Sequence, residues 1–474
     1  MTVYRPELHV TAERGILEGP AGVFRSGGPE ARVWHMFYQY RPAPGEASRW
    51  GHEMSEDDPF SFLDCNDVIV PVGGETNIRA GAVTESNDGN GVDLYFSSET
   101  AAGNTVQIAH VDNIDELCDF DDEEFEGAPN QSELPATRLG AVVEDTDAAA
   151  NFRSPCVVPG WEEVDDRGQG HSGCLMLAVT GPVEAPVPVV LSSEDGRDWR
   201  LLGPLTFEGD TGYDLDTSLV APRIIRLRDE VNGDVRDVLF ITLERDGKDT
   251  AVYAVGELRG NVFSLEGPFR ILDHGHDFTR PRNTNYRTSE SDAETRYERA
   301  YLYGFMTNTD RAGDPTEEPN WEAEGWANAL TLPRRVTLQG GRLYQVPAPG
   351  LPDAVDTTDR ARLWTALCDI PSGSNVTVEV LDGTGEAAAV ITHDGDTLTL
   401  DRMDGSPATA ELHDADEDNI TVIVDGSTIE VYAGGGSVVM SSRIWPESNC
   451  AGIRARATDG AEIQSEWRRG YPGR

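Results

Sequence analysis

Few side chains in this 474-residue chain stand at spacings that support chemistry by themselves. His274-Gly275-His276 has the spacing of a small metal clip, but it falls in a turn beside Asp273, and no pair among the nine histidines has the spacing of a helical metal site. Asp119-Phe120-Asp121-Asp122-Glu123-Glu124 lacks the ordered ligand spacing and the glycine of a calcium loop, and reads as solvated surface. The six cysteines, at 65, 118, 156, 174, 368 and 450, include no Cys-x-x-Cys pair; zinc or redox work is not expected of them, and they are expected to be reduced, several of them buried. Gly434-Gly435-Gly436 lacks the strand, helix and lysine of a phosphate loop and reads as a hairpin turn. No metal and no cofactor is expected. Arginine carries the positive charge: Lys248 is the one lysine, and guanidinium forks suit carboxylate and phosphate partners.

The segment with the most information is Arg5-Pro6-Glu7-Leu8-His9, followed by Gly15-Ile16-Leu17-Glu18-Gly19-Pro20-Ala21-Gly22, His35-Met36-Phe37-Tyr38-Gln39-Tyr40 and Trp50-Gly51-His52. It resembles the opening of the family-32 glycoside hydrolases, the invertases, inulinases and levanases. Further phrases of the same family follow in order. They include Leu191 to Trp199, Leu272 to Phe278, Gly325 to Arg334 with Gly341 to Pro347, and Ser427 to Tyr432 with Val439 to Pro446.

The resemblance implies a retaining hydrolysis by two carboxylates about 5–5.5 Å apart. It also implies a third acid that binds the fructosyl hydroxyls. All three positions are changed in this chain. Gly19 stands where the nucleophile is expected, Ser154 replaces the third acid in Arg153-Ser154-Pro155, and Val220 replaces the acid/base in Val220-Ala221-Pro222. Glu18, next to the lost nucleophile, is the candidate substitute; Asp214 and Asp216 read as turn residues. The resemblance also places Gln39, Trp50 and Arg153 in the sugar pocket. The corresponding phrases here read Ile78-Arg79-Ala80-Gly81 and Asp277-Phe278-Thr279-Arg280-Pro281, which adds Arg79 and Arg280. Three arginines around one funnel would suit an anionic carbohydrate such as a sugar phosphate or uronate. The alternative is that Arg79 and Arg280 pair with local acids such as Glu75 and Asp277.

Two functions follow as expectations. The first is a carbohydrate-binding protein that has lost β-fructosidase activity. The second is an active glycosidase, on a fructosyl or acidic sugar, with relocated catalytic residues.

The elements that must position these residues are strands. Val33–Tyr40, Val92–Ser97, Cys174–Thr180, Val187–Ser192, Val238–Leu243 and Ala300–Met306 are apolar runs of strand length bounded by Gly, Asp and Asn turns. Such a pattern predicts an all-β propeller, barrel or sandwich. The resemblance selects a five-bladed β-propeller followed by a C-terminal β-sandwich. The propeller is expected over residues 1–346, a linker over 347–356 and the sandwich over 357–474.

A formal charge of -46, from 84 acidic against 38 basic residues, repels nucleic acid and anionic membrane surfaces. The acid excess runs through the whole chain and reads as adaptation to molar salt, where the Debye length falls to about 3 Å. No stretch approaches the roughly 18 apolar residues of a membrane helix, and the first residues show no apolar signal segment, so a cytoplasmic protein is expected.

Overall fold

A computed structural model describes residues 4–471 apart from 28–31, 57, 87–88, 119–129, 144, 147–148, 161–172, 215–216, 246, 287–295, 310–312, 414–417 and 459. Five mostly antiparallel blades follow one another along the chain as a propeller: blades 2 and 3 are four-stranded sheets, blade 4 has six strands, and blades 1 and 5 join in one ten-stranded sheet. Their inner strands are Gly15–Ser26, Glu75–Glu85, Arg153–Pro159, Ser218–Arg228 and Thr279–Tyr286. The ring closes where the inner strands of blades 1 and 5 pair in parallel, Val23 opposite Thr284 and Arg25 opposite Tyr286.

All six apolar runs read from the sequence are strands. Cys174–Thr180 is buried at every position because both faces of a blade are covered by its neighbours, so the run is continuously apolar rather than alternating. The sandwich strand Asn375–Leu381 differs. Its valines 376, 378 and 380 are buried and the residues between them half-exposed, as one-sided packing requires. Two five-stranded sheets there enclose Trp364, Val378, Ile391, Val422, Val431 and Met440.

The stretch read as a linker is not a loose tether. Leu351–Asp356 is a short helix whose Leu351, Ala354 and Val355 pack with Leu363, Ile423 and Tyr432 of the sandwich and Trp34 of blade 1. The expectation of reduced thiols is also corrected: Cys65 and Cys118 form a disulfide. They are 53 residues apart in sequence, and only the packing of blade 1 against blade 2 brings their Cα atoms to 5.2 Å. The other four cysteines are buried and outside any disulfide among the described residues.

Propeller and sandwich are fastened by buried charges. Asp425 accepts hydrogen bonds from the backbone N–H groups of Glu7 and Leu8 and contacts the His9 ring at 2.9 Å. The opening Arg-Pro-x-x-His phrase is therefore a clasp between the domains. Glu430 contacts His9 at 3.2 Å, accepts from the Leu332 N–H and the Tyr432 hydroxyl, and pairs with Arg334 at 2.9 Å. Arg334 also pairs with Asp273 at 2.8 Å. His274 and His276 belong to the same interface: the His276 ring meets Ser442 Oγ and the Ser406 carbonyl.

Burial disfavours the His9 imidazolium, but hydrogen bonds to Asp425 and Glu430 outweigh it and raise its pKa from 6.5 to about 8. Burial would raise Glu430, yet the Arg334 guanidinium and the His9 contact bring it from 4.5 down to about 2. The signs are opposite. The His9 contribution is complete below pH 6.5 and disappears as pH rises through 8; the Glu430 contribution is complete above 4.5 and disappears as pH falls toward 2. A thermal midpoint that is flat between these limits and falls from pH 6.5 to 9 is expected. The alkaline loss should be about 2 kcal/mol, at about 1.4 kcal/mol per pKa unit, and absent in His9→Gln. An identical alkaline limb in His9→Gln would assign the loss to another group.

Candidate functional site

Each inner strand breaks register near its start. In four of the five blades the break is an Xaa-Pro pair with a positive φ at Xaa: Gly19-Pro20 (141°), Ser154-Pro155 (56°), Ala221-Pro222 (48°) and Arg280-Pro281 (46°). Proline cannot donate to the ladder, so pairing stops there and the strand bulges, which re-aims the neighbouring side chains. Blade 2 bulges between Arg79 and Ala82, where a Cβ on Gly81 would lie 1.8 Å from the Tyr95 carbonyl oxygen. The five bulges lie at the same end of their strands and ring one mouth of the central channel.

The positions that the resemblance assigns to acids all lie on these bulges, and none carries a carboxylate. Gly19 has no side chain, Ser154 holds a hydroxyl, and half-buried Val220 precedes Ala221. A Cβ at Gly19 would meet nothing closer than the Phe305 ring at 3.9 Å, so space remains where the nucleophile would project. Glu18 stands one residue before its Xaa-Pro pair, the place Val220 occupies in blade 4. It is held on its own blade, by Gln39 Nε2 at 2.5 Å, Arg41 Nη2 at 2.6 Å and the Ser48 hydroxyl. Its side chain is 20% exposed. Three donors thus hold Glu18 in place. Asp214 lies ahead of the inner strand of blade 4, and Asp216 is outside the described residues, as is the acidic run 119–124.

Two of the expected sugar-reading residues turn inward. Trp50 is fully buried between Phe37 and Phe96, and its indole N–H donates to the Arg79 carbonyl at 3.0 Å. Ile78 and Phe96 of blade 2 pack against it, and no face of its ring is exposed in this structure. Gln39 is buried and bridges Glu18 to the Ala80 N–H, which ties blade 1 to the blade 2 bulge.

Arg79, Arg153 and Arg280 each lie on or beside a bulge, and the acids that pair with Arg79 and Arg280 are not Glu75 and Asp277. Arg79 pairs with Glu99 at 2.5 Å, and Arg280 pairs with Glu244 at 2.7 Å and Asp249 at 3.5 Å. Glu75 and Asp277 are engaged elsewhere, with Arg138 and Arg402. Arg153 differs from the other two. It donates to the carbonyls of Asn151, Gly181 and Pro182, and burial together with the nearby Arg79 guanidinium holds its pKa below the ordinary arginine range.

Beneath the bulges lie two arginines that the sequence reading missed. Arg223 of blade 4 is 1% exposed, donates through Nη1 to the carbonyls of Ser154 and Pro222, and has the Cys156 thiol as its other side-chain contact. Arg282 of blade 5 is 5% exposed, and its Nε and Nη1 have no hydrogen-bond partner among the described residues. Burial, and then the Arg223 guanidinium, hold Arg282 well below the ordinary range. For Arg223 the available signal was an arginine set directly before the apolar pair Ile224-Ile225; the polar strand of Arg282 offered none. A cavity of about 450 Å³ opens at the other end of the channel, among Thr84, Val157, Ile225 and Asn285, away from the bulges.

Residues 9–347 match the profile of the glycosyl hydrolases family 32 N-terminal domain, and residues 372–467 match that of the family 32 C terminal. The chain is similar to the sucrose-6-phosphate hydrolase of Bacillus subtilis (strain 168), 25% identical with 97% of this chain and 93% of the relative covered. The fold is similar to that of the fructofuranosidase from Schwanniomyces occidentalis complexed with fructose, with a TM-score of 0.72 at 18% identity over 99% of this chain and 98% of the other. Sucrose-6-phosphate hydrolase from Lactobacillus gasseri gives a TM-score of 0.72 at 18% identity, covering 98% of this chain and 92% of the other.

Proposed function

Because the chain belongs to glycosyl hydrolase family 32, we propose that its propeller funnel binds a fructose-containing sugar without hydrolysing it by two carboxylates. One observation carries this reading: at the bulges that ring the funnel, the acid positions hold Gly19, Ser154 and Val220. Protonating a leaving oxygen while attacking the anomeric carbon takes two carboxyl groups facing each other across the bond. Glu18, which immediately precedes Gly19, is fastened by three donors of its own blade, and Glu99, Glu244 and Asp249 at the same mouth are paired with Arg79 and Arg280.

The finer part of the proposal is an anionic substituent on the sugar. Arg153 donates its hydrogen bonds to backbone carbonyls, with Glu244 and Glu184 acting on it only from a distance, and Arg223 and Arg282 bury guanidinium groups without an ion-pair partner among the described residues. A buried cation without a counter-charge is costly, and a phosphate or carboxylate directed into the funnel would offset that cost. Relatives named for sucrose 6-phosphate agree with this direction. In a calorimetric titration in molar potassium chloride, sucrose 6-phosphate should bind at least about tenfold more tightly than sucrose, as one charge-assisted contact supplies. The gap should close in Arg153→Ala and Arg282→Met. Equal affinities in the wild type would remove the anionic preference and leave the sugar-binding reading intact. The molar-salt assay follows from the further proposal that this chain of net charge -46 works in a salt-rich cytoplasm.

The second reading is hydrolysis of a fructosyl bond. It is favoured by the activities for which the relatives are named and by the placement of Glu18 at the blade 1 counterpart of Val220.

A further inference from the structure

Away from the funnel, where blade 1 meets blade 2, three ligand-type side chains come together from separate elements. His52 lies in the strand Arg49–Glu56, Cys65 follows the edge strand Leu63–Asp64, and Cys118 follows the turn Ile114–Glu116. The Cys65 N–H donates to the His52 carbonyl at 2.9 Å. A ring nitrogen of His52 and the two sulfurs lie within 4.8 Å of one another.

The proton arrangement of the histidine is set from behind. Asp115 can only accept, and it faces His35 Nε2 at 3.1 Å, so that nitrogen carries the proton. In a neutral imidazole this leaves His35 Nδ1 as a lone pair, which faces His52 Nε2 at 3.2 Å and takes its proton in a hydrogen bond. His52 Nδ1 is then a lone pair as well. It is buried and has no hydrogen-bond partner. A carboxylate–histidine chain that ends in a bare nitrogen, on a ring that sits beside two sulfurs, is how a metal ligand is oriented. With the sulfurs joined as a disulfide, that nitrogen accepts nothing, and an unpaired buried polar atom costs roughly 1–3 kcal/mol.

We propose that, once a dithiol reductant has passed two electrons and two protons to the disulfide and left as its own disulfide, Cys65, Cys118 and His52 Nδ1 bind one thiophilic closed-shell cation of the zinc class. Two thiol protons are released on binding, and water completes a four-coordinate shell on the half-buried Cys65 side. The bound ion would hold the turn that ends at Cys118 against blade 1, as the disulfide does in the oxidised chain.

The test uses the full chain, reduced with a phosphine, freed of reductant and titrated anaerobically with cobalt(II) and then zinc(II). One equivalent of cobalt with sulfur-to-metal charge-transfer absorption, displaced by zinc, is expected. The band should be lost in Cys65→Ser and Cys118→Ser, and affinity should fall at least about tenfold in His52→Gln. Zinc should also protect Cys65 and Cys118 of the wild type from alkylation, a readout that needs no variant to fold. No cobalt bound by the reduced wild type, or a band that survives in Cys65→Ser, would overturn the assignment.

Discussion

Replacing Glu430 by alanine is expected to cost the whole chain on the order of 3–5 kcal/mol, the typical penalty for breaking a buried ion pair from one side. Glu430 is fully buried between the domains and serves His9, Leu332, Arg334 and Tyr432 at once. Its removal leaves Arg334 with Asp273 as its remaining carboxylate partner and takes away one of the two acids that hold His9 charged. Because Arg334 lies on blade 5, His9 in the opening clasp and Glu430 in the sandwich, the loss uncouples the two domains as well as lowering stability. A fall in the denaturant midpoint, with separated propeller and sandwich transitions, is the expected result. Glu430→Gln should lie between the two, since an amide keeps the geometry and forfeits the charge. A shift under about 0.5 kcal/mol for Glu430→Ala would mean that the apolar contacts between the domains carry the interface alone.

The second large effect is a gain. Installing all three acids together, Gly19→Asp with Ser154→Asp and Val220→Glu, should raise sucrose hydrolysis at least about 10³-fold over the wild type, within the range a positioned acid or base contributes. Space for the first exists, because only the Phe305 ring at 3.9 Å faces a Cβ on Gly19. The obstacle is the backbone: Gly19 sits at a φ of 141°, whereas the other three Xaa residues lie between 46° and 56°, where side chains are present. Gly19→Asp therefore requires a local rotation toward the geometry its counterparts already adopt, at a cost of roughly 1–3 kcal/mol. Gly19→Asp alone should yield no turnover, since a nucleophile without an acid cannot expel the leaving group. A triple variant that melts like the wild type and stays inactive would show that the funnel no longer fits the sugar, and so would count against the binding proposal too.

Much of the fold was legible because propeller strands advertise themselves. Runs such as Cys174–Thr180 are apolar throughout and bounded by turns. The repeat that organises the site was present in the sequence but hard to see. Its Xaa-Pro pairs are spaced by 135, 67 and 59 residues, the first interval spanning two blades, because loops of different length separate the inner strands. What pattern reading missed was contact between distant segments. The packing of blade 2 over Trp50 and the meeting of Cys65 with Cys118 both join segments far apart in sequence. Arg223 and Arg282 lie on inner strands that none of the six apolar runs covers, so their burial could not be read from neighbours in sequence.

The central claim is that the frame of the family persists while its acids have gone. The most direct measurement is release of reducing sugar from sucrose, sucrose 6-phosphate and inulin by the purified chain in molar potassium chloride, with Glu18→Gln and a heat-killed sample alongside. No release above the heat-killed control over days, with sugar binding still detected, is the predicted result. Turnover by the wild type that Glu18→Gln abolishes would contradict it and make Glu18 the relocated catalytic acid.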